Sequence, residues 1–407
     1  MRVLMNFSLA ALLLSAALAT AQPRVVVSDP TLVAEAPAEV RRWGYYQFPT
    51  LDRAAGGRIL LTFHVHPDSA RSYGLAADVP NRGISSDNGR TWTLTSSTEP
   101  APGIKLPNGD RLRIVTPKAV PAGELRLPAP VGTRAGTYGN LPYVYYRLDE
   151  LPEMLRGVPL ARLAKGAESW SDERAALDDP AALRYTVEGV FPVVWWGDVR
   201  VAPDRSLLAV VYPGRMAGPH FKHCHAFCYR STDHGRTWKV QGRILYEPDP
   251  VADPKAASRD GFSEPAFEIL RDGSLLCVLR TTDGLGVGPM FYTRSGDMGK
   301  TWSRPQAFTP TGVLPRLLRL GNGTLVLSSG RPGVDLRFSF DGRGEKWSEP
   351  HKLVPISSGN AQADSCGYTS LLPLSDSSLL VAYSWFQRPA ADGTPRKAIL
   401  VRRVDIR

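Results

Sequence analysis

The chain has 407 residues, 43% hydrophobic and 22% charged, with a formal net charge of +10 at pH 7. This is the composition of an ordinary globular protein, which excludes intrinsic disorder and collagen-like repeats. The basic residues are scattered rather than grouped in runs. That distribution argues against nucleic-acid binding and leaves an anionic substrate or a cell-surface polyanion open.

The N-terminus predicts export. An apolar run from Phe7 to Ala19 follows Arg2, and the small residues at 19–21 form a cleavage signal before Gln22. This pattern is typical of a secretory signal peptide over residues 1–21, and no later run approaches the roughly 20 apolar residues of a spanning helix. We expect a secreted or periplasmic protein, cleaved after Ala21, with no stable membrane insertion.

Six short turns are each followed by an apolar strand: Gly56–Leu61, Asn108–Leu112, Asp204–Leu208, Asp272–Leu276, Asn322–Val326 and Asp376–Leu380. Spread over the mature chain, these units measure about 64 residues each, enough for a four-stranded blade with its loops. The sequence therefore predicts an all-β fold, a single six-bladed β-propeller over residues 22–407.

A second repeat supports this prediction. Three segments share the pattern S-x-D-x-G-x-[TS]-W and a fourth is degenerate and one residue longer: Ser85–Trp92, Ser231–Trp238, Ser295–Trp302 and Ser339–Trp347. Ser and Asp oxygens can accept hydrogen bonds from nearby backbone N–H groups, and Gly accepts positive φ. The Trp supplies a large apolar anchor between layers. Each copy predicts a hairpin.

The spacing of the six units is uneven between Gly109 and Arg205, which predicts an insertion at about 130–190. Leu148–Leu177 is rich in Ala, Leu, Glu and Arg with some helical periodicity, so we expect the insertion to be partly helical. Such insertions often rim a binding site. A surface elaboration with no role in binding is the alternative.

Cys224 and Cys228 lie four residues apart with histidines around them, a spacing that invites a metal site. Against this, the segment is predicted to be a strand, where alternate side chains point to opposite faces and four residues span roughly 13 Å. We therefore predict no metal site.

The hairpin repeats resemble the Asp-boxes, or BNR repeats, of the sialidase family, and the resemblance covers most of the mature chain. Sialidases use a Tyr nucleophile activated by a Glu, an Asp acid/base and three Arg residues that hold the substrate carboxylate; among glycosidases they are the Tyr exception. A neutral phenol can approach an anionic sugar that would repel a carboxylate nucleophile. The resemblance implies that no metal or organic cofactor is needed.

Ser263–Arg280 is similar to the family pattern E-P-x-x-x-x-x-x-D-G-x-L-L-x-x-x-R. The resemblance implies that Glu264 activates the nucleophile and that Arg280 belongs to the arginine triad. Two charged groups flanking an otherwise apolar strand pair favour an inward-facing role. Glu268 is the competing carboxylate.

Cys366–Leu374 resembles the family's G-Y-S-x-L strand, which implies that Tyr368 is the nucleophile. Ser329–Arg337 precedes the fourth Asp-box by the distance expected of another triad arginine. Arg331 is the better candidate there, with Arg337 second.

The first blade departs from the family pattern. Tyr46–Leu51 replaces the usual Y-R-I-P, so Gln47 stands where the first triad arginine belongs. A Gln offers a hydrogen bond but no charge and no bidentate fork, and a charge-assisted contact is worth roughly 1.5–3 kcal/mol. Unless Arg42, Arg71 or Arg82 reaches in, recognition of a sialic-acid carboxylate is weakened.

The acid/base residue should lie on the next loop, within Phe63–Arg71. Asp68 is the nearest match to the family, with Asp78 as a fallback. His64 and His66 alternate on a strand end, and either can act as an acid/base near neutral pH. Both histidines are also candidate substrate contacts.

Trp195–Arg200 places an aromatic pair beside charged residues, an arrangement suited to stacking on a sugar ring. We predict that Trp196 and Asp198 contact substrate. Packing between blades explains the tryptophans equally well.

Together these features predict an exported exo-glycosidase of sialidase type that releases a terminal, anionic, sialic-acid-like sugar from a glycan or glycoconjugate. Tyr368 attacks, Glu264 takes its proton and Asp68 protonates the leaving oxygen. Two alternatives stay open: a propeller glycosidase or lyase acting on another sugar or a uronate, and a non-catalytic glycan-binding propeller.

Overall fold

The computed structural model describes residues 23–135, 141–192, 198–282, 287–357 and 359–407. The predicted signal peptide and Trp196 lie outside these ranges. Across them the chain forms thirty strands and no α-helix, only six 3₁₀ helices: Ala55–Gly57, Ala122–Glu124, Leu148–Glu150, Glu153–Leu155, Gly218–Lys222 and Ala256–Ser258. No helix in the described part of the chain is long and apolar enough to cross a membrane.

The strands of the first half comprise two that pair with the last strand of the chain, the strands of three blades, and those of an insertion. They are β1 (Val25–Val27), β2 (Thr31–Glu35), β3 (Tyr45–Arg53), β4 (Ile59–Val65), β5 (Arg82–Ser85), β6 (Thr93–Thr95), β7 (Ile104–Lys105), β8 (Arg111–Ile114), β9 (Val120–Pro121), β10 (Gly132–Ala135), β11 (Pro142–Arg147), β12 (Val158–Leu163), β13 (Ser171–Asp178), β14 (Leu183–Thr186), β15 (Val190–Phe191), β16 (Val199–Val201), β17 (Leu207–Gly214), β18 (His225–Ser231) and β19 (Thr237–Ile244).

The strands of the second half build three more blades. They are β20 (Gly261–Ile269), β21 (Leu275–Thr282), β22 (Met290–Ser295), β23 (Gln306–Thr309), β24 (Val313–Arg319), β25 (Leu325–Gly330), β26 (Val334–Ser339), β27 (His351–Val354), β28 (Thr369–Ser375), β29 (Ser378–Pro389) and β30 (Pro395–Ile406).

Antiparallel pairing groups the described strands into six units, which we number as blades. Blade 1 is β3–β6, blade 2 is β7, β8, β12 and β13, blade 3 is β16–β19, blade 4 is β20–β23, and blade 5 is β24–β27. Blade 6 joins both ends of the chain, because β1 and β2 pair with β30 beside β29 and β28. This pairing closes the ring, and the prediction of an all-β propeller is confirmed.

Apolar clusters of described residues fill five of the six spaces between successive blades, as expected for sheets that bury one face against the next. Representative fully buried pairs are Leu112 and Trp238 between blades 2 and 3, Val210 and Phe267 between 3 and 4, Val278 and Leu325 between 4 and 5, Val326 and Tyr383 between 5 and 6, and Leu61 and Ala382 between 6 and 1.

The Asp-boxes form the predicted hairpins. In the first, the Ser85 hydroxyl accepts the N–H of Gly89 at 2.8 Å, and Asp87 accepts the N–H of Thr91 at 2.9 Å. Hydrogen bonds from Thr91 lower the pKa of Asp87 to about 2. Trp92 donates its indole N–H to Gly89 and packs against the cluster between blades 6 and 1. The box therefore supports the blade rather than any chemistry.

The prediction of a partly helical insertion is corrected. Of Leu148–Leu177, only two three-residue 3₁₀ helices are helical, and the rest supplies β12 and β13 of blade 2. Gly157 takes positive φ (74°), and two prolines in the segment would interrupt a helix. The insertion itself is a small sheet of β10, β11 and β14 beside the β9–β15 pair. Tertiary pairing overrides the helical propensity of its Ala and Glu.

Candidate active site

The innermost strands of three blades carry bulges near the centre of the ring. β3 is interrupted between Gln47 and Thr50, β20 at Ser263 to Ala266, and β24 at Val313 to Arg316. A non-glycine residue in each bulge has positive φ: Phe48 (53°), Glu264 (46°) and Leu314 (37°). Such strained bulges redirect side chains and often mark functional sites.

Tyr368 and Glu264 meet at this centre. The Tyr368 hydroxyl donates a short hydrogen bond to Glu264 Oε1 across 104 residues of sequence. The Arg280 guanidinium lies 2.6 Å from the same oxygen, and the Leu314 N–H donates to Glu264 Oε2 at 2.7 Å. Tyr368, Glu264 and Arg280 are all buried. The phenol therefore faces a carboxylate that is held on both oxygens.

The charge state of Glu264 follows from these contacts. Burial by itself would raise the pKa of the carboxyl, but the charge and hydrogen bond of Arg280, the Tyr368 hydrogen bond and the nearby Arg331 outweigh it. The pKa of Glu264 consequently lies below its ordinary value. At neutral pH the group is an ionised acceptor aimed at a phenolic proton.

Arg331 lies beside Tyr368, the nucleophile candidate. Its Nε donates to the Cys366 carbonyl at 2.8 Å, and its guanidinium lies 5.1 Å from the Trp43 ring centroid and 5.7 Å from that of Tyr368. Arg337 instead donates to the Ser348 carbonyl, along β26 toward the fourth Asp-box. Of the two predicted arginines, Arg331 is the one the structure brings to Tyr368.

Gln47 and His64 are cross-strand partners beside this group. Gln47 is fully buried, and neither its amide nitrogen nor its amide oxygen has a hydrogen-bond partner among the described residues. His64 Nδ1 lies 2.9 Å from the Gly44 carbonyl, so this nitrogen carries the proton and leaves Nε2 as an acceptor. His64 Nε2 is also buried and unpartnered within the described ranges, and burial lowers the pKa of His64.

Asp68 is engaged by two aromatic side chains. One Asp68 oxygen accepts the Trp43 indole N–H and the other accepts the Tyr73 hydroxyl, each at 2.9 Å. The Tyr73 ring stacks on His64 at 5.7 Å. Of the other acid/base candidates, His66 contacts the Ala76 carbonyl and Asp78 is exposed on the surface loop.

Asp198 belongs to a chain of charges on the innermost strands. It lies 3.4 Å from both Arg200 and Arg316, and Arg200 continues to Glu268 at 3.5 Å. Neither Glu268 nor Asp198 contacts Tyr368 in the described structure. Arg316 was missed from the sequence, where it is one of two arginines in the otherwise apolar strand VLPRLLR.

A cleft of about 370 Å³ opens over Tyr368. Its wall near the nucleophile candidate is aromatic, because the Phe48 ring lies 4.9 Å from that of Tyr368 and 5.7 Å from that of His64. Arg316 and Tyr73 also line it. From there the cleft runs along blade 1 to the residues Thr50, Thr62, Asn81 and Arg82. Its volume suits one or two sugar rings.

The insertion reaches this side of the ring. Glu188, between β14 and β15, accepts the Ser69 hydroxyl at 2.6 Å, and its carbonyl accepts a short hydrogen bond from Arg71. Ser69 and Arg71 belong to the loop that carries Asp68. The insertion thus braces that loop, and Arg71 is engaged there rather than near Tyr368.

The Cys224 region is packed as a structural element. His225 Nδ1 accepts the Tyr246 N–H at 2.9 Å, and its Nε2 lies 3.1 Å from the His220 carbonyl. Burial raises the pKa of both Cys224 and Cys228 to about 12. Among the described residues, all four cysteines are free and no group of His, Cys, Asp and Glu side chains is arranged to hold a metal ion.

Comparisons with known proteins agree with this architecture. A protein of unknown function from Dyadobacter fermentans has 20% identity and a TM-score of 0.62, over 94% of this chain and 99% of that one. A point mutant of NanB sialidase from Streptococcus pneumoniae has 13% identity and a TM-score of 0.52, over 93% and 71% respectively. At these identities the likeness shows the fold alone.

No curated protein matches the chain. A family model, however, described as a BNR repeat-like domain, matches residues 164–381, which is more than half of the chain and includes Asp-boxes two to four together with Glu264, Arg280 and Tyr368. The chain therefore belongs to the BNR repeat-like domain family.

Proposed function

We propose that the protein is an exported, retaining exo-glycosidase. Tyr368 Oη attacks the anomeric carbon while Glu264 takes the phenolic proton, and the bond to the leaving oxygen breaks as an acid/base group protonates that oxygen. Water, deprotonated by the same group, then displaces the tyrosyl oxygen, and Glu264 returns the proton. Two displacements at one carbon retain its configuration.

The observation that carries this proposal is the Tyr368–Glu264–Arg280 contact at the inner end of a cleft. A phenol has an ordinary pKa near 10, so it is a poor nucleophile at neutral pH without a base. The ionised Glu264 supplies that base, and Arg280 and the Leu314 N–H hold it in place. A Tyr kept only for packing would not need a buried ion pair at its hydroxyl.

Two groups compete for the acid/base role. Asp68 is the residue implied by the family resemblance, but both of its oxygens accept hydrogen bonds from Trp43 and Tyr73. His64 lines the cleft itself and directs an unprotonated Nε2 away from Gly44. His64 has the reach to the leaving oxygen, but it can protonate that oxygen only after Nε2 takes up a proton, which its lowered pKa opposes. Asp68 and His64 therefore both stay candidates for the acid/base role.

The sugar is the open part of the proposal. Arg280 and Arg331 favour an anionic, sialic-acid-like sugar, and Arg316 adds a third cation at the cleft. Gln47 favours the second candidate, a glycosidase for another sugar, because a buried amide recognises a hydroxyl or carbonyl group without charge. The two candidates differ in whether the attacked sugar is sialic-acid-like or is another sugar, neutral or uronic.

The test is an assay of the mature protein against aryl glycosides of sialic acid, neutral sugars and uronic acids. We expect turnover of one class and its collapse in Tyr368→Phe. Turnover of a neutral or uronic glycoside with none of the sialoside selects the second candidate. Glycan binding that survives in Tyr368→Phe, with no turnover in either protein, would instead identify a binding propeller and overturn the enzyme.

A further inference from the structure

The interface between blades 1 and 2 differs from the other five. Each of those is filled by an apolar cluster, whereas none of the clusters formed by the described residues joins blade 1 to blade 2. The cleft that begins at Tyr368 runs along this side of blade 1. Packed sheets normally bury apolar side chains between them, so the absence of an apolar cluster of described residues between blades 1 and 2 needs an explanation.

The blade 1 face toward this gap carries several polar side chains beside Leu60 and Ile84. In β3 and β4, Leu51, Leu61 and Phe63 point toward blade 6, so the alternating Thr50, Asp52, Thr62 and His64 point the other way. On β5, Arg82 pairs with Thr62 and lies on the same side. These polar side chains line one wall of the gap.

Blade 2 contributes a second arginine. In β8, Leu112 and Ile114 pack toward blade 3, so Arg113 points to the blade 1 side. Its guanidinium lies 4.7 Å from the Trp170 ring centroid. Its Nε is buried without a hydrogen-bond partner, and none of the ion pairs within 4 Å in the described structure includes Arg113.

The side chains of Arg82 and Arg113 point into the same space between the blades. Burial lowers the pKa of Arg113, and the charge of Arg82 lowers it further, with only Asp172 opposing. Arg82 donates to the Glu99 carbonyl at 2.6 Å, but the Glu99 carboxylate is paired with Arg58 at 3.1 Å. Neither guanidinium has an ion pair within 4 Å among the described residues, although Asp52 lies on the blade 1 wall and Asp172 partly offsets the charge at Arg113. An anion between the two arginines would relieve their repulsion.

From this placement we propose that the gap between blades 1 and 2 is a subsite for an anionic group, gripped by Arg82 and Arg113. The group is an oxyanion on a sugar residue neighbouring the one attacked at Tyr368, either a carboxylate or a sulfate ester. The subsite deepens the proposed function and rests on it for the position of the attacked sugar. Two of the residues behind the protein's net positive charge would then bind a linear acidic glycan.

The test measures binding by isothermal titration calorimetry with three tetrasaccharides: hyaluronan (carboxylates only), chondroitin sulfate (carboxylates and sulfates) and neutral cellotetraose. We expect the mature protein to bind one or both acidic probes more tightly than cellotetraose, and more weakly as salt rises. Arg82→Gln and Arg113→Gln should each weaken acidic binding roughly tenfold to a hundredfold, as expected for a charge-assisted contact. Sulfate-dependent binding would identify a sulfate ester, and equal binding of both acidic probes a carboxylate.

A matched control is Arg90→Gln, which removes one exposed guanidinium from the first Asp-box of the same blade. It should bind all three probes as the parent does. Arg113→Lys keeps the charge, and should retain more acidic binding than Arg113→Gln if both fold. Equal affinity for acidic and neutral probes, or unchanged acidic binding in both Gln variants, would overturn the subsite.

The same titrations in Tyr368→Phe separate this inference from the proposed function. If the parent protein turns over no aryl glycoside but the acidic probes bind more weakly after Arg82→Gln and Arg113→Gln, the enzyme proposal fails and the anionic subsite stands. If the parent turns over a glycoside and neither substitution changes binding of the acidic probes, the subsite fails and the enzyme proposal stands.

Discussion

Replacing Glu264 with Gln isolates the charge at the centre of the site. Gln keeps the shape of the side chain and can still accept the Leu314 N–H, but it removes the ionised acceptor for Tyr368 and the partner of Arg280. A positioned general base contributes about 10²–10⁴ in rate. We therefore expect kcat to fall by that factor in Glu264→Gln, without loss of the fold.

Glu264→Gln should also lower the free energy of unfolding, and the burial of the Glu264–Arg280 pair indicates by how much. Arg280 is 7% exposed and Glu264 5%, so Glu264→Gln leaves a buried guanidinium without its counter-charge. Breaking a buried pair from one side costs about 3–5 kcal/mol. Because the pKa of Glu264 is lowered by folding, its contribution is fully present above its unfolded pKa of about 4.3 and is lost as pH falls through the folded value.

The assay is the free energy of unfolding of both proteins in urea from pH 3 to pH 8, together with kcat on the aryl glycoside that the protein turns over. The difference in stability should be constant above about pH 5 and shrink below about pH 4.3. Glu268→Gln is the control, because Glu268 is a buried carboxylate of the same strand that contacts Arg200 and not Tyr368. A kcat within about threefold of the parent in Glu264→Gln would refute the base role, and a pH-independent difference would refute the ionised pair.

Three further predictions address proton transfer, packing and a buried lysine. His64→Ala should slow substrates with poor leaving groups far more than activated aryl glycosides, and azide should restore turnover; if Asp68→Asn shows this signature and His64→Ala does not, the acid/base is Asp68. Trp238→Ala should lower the free energy of unfolding by about 3–5 kcal/mol, because Trp238 is fully buried between blades 2 and 3; a urea-denaturation loss under about 1 kcal/mol would contradict that packing role. Burial lowers the pKa of Lys397 to about 8, so the unfolded state binds more protons between pH 8 and 10.5 and stability should rise with pH there relative to Lys397→Met; parallel pH profiles of the melting temperature would contradict it.

The parts of the fold that were predictable are those fixed by local chemistry. An Asp-box makes its own hydrogen bonds within about eight residues, as the Ser295 and Asp297 contacts repeat those of Ser85 and Asp87 atom for atom. Such a unit forms in any blade, so its sequence pattern is sufficient. The insertion was misjudged because its sheet depends partly on pairing between strands far apart in the chain, as when β11 pairs with β14.

The site was predictable only where a family pattern carried it. Glu264, Arg280 and Tyr368 were named through the resemblance, and the ring brings them together over 104 residues. Arg316 has no such pattern, and no local signal says that the Asp68 oxygens are engaged by Trp43 and Tyr73. Contacts made across a bulged inner strand depend on the whole ring, which periodicity and spacing do not describe.

Some buried polar groups at this centre lack hydrogen-bond partners among the described residues. They occur on Gln47, His64, Ser263 and Arg280, which flank the Tyr368–Glu264 pair along the bulged strands, and similar groups occur in other blades, as on Arg113 and Arg243. Each costs about 1–3 kcal/mol if left dry. Apolar residues would pack these positions at less cost, so their polar character is best explained by a ligand whose hydroxyl, carboxylate or ring oxygen completes them. Under the proposed function, substrate would donate and accept the hydrogen bonds that Gln47 and His64 do not make within the described structure.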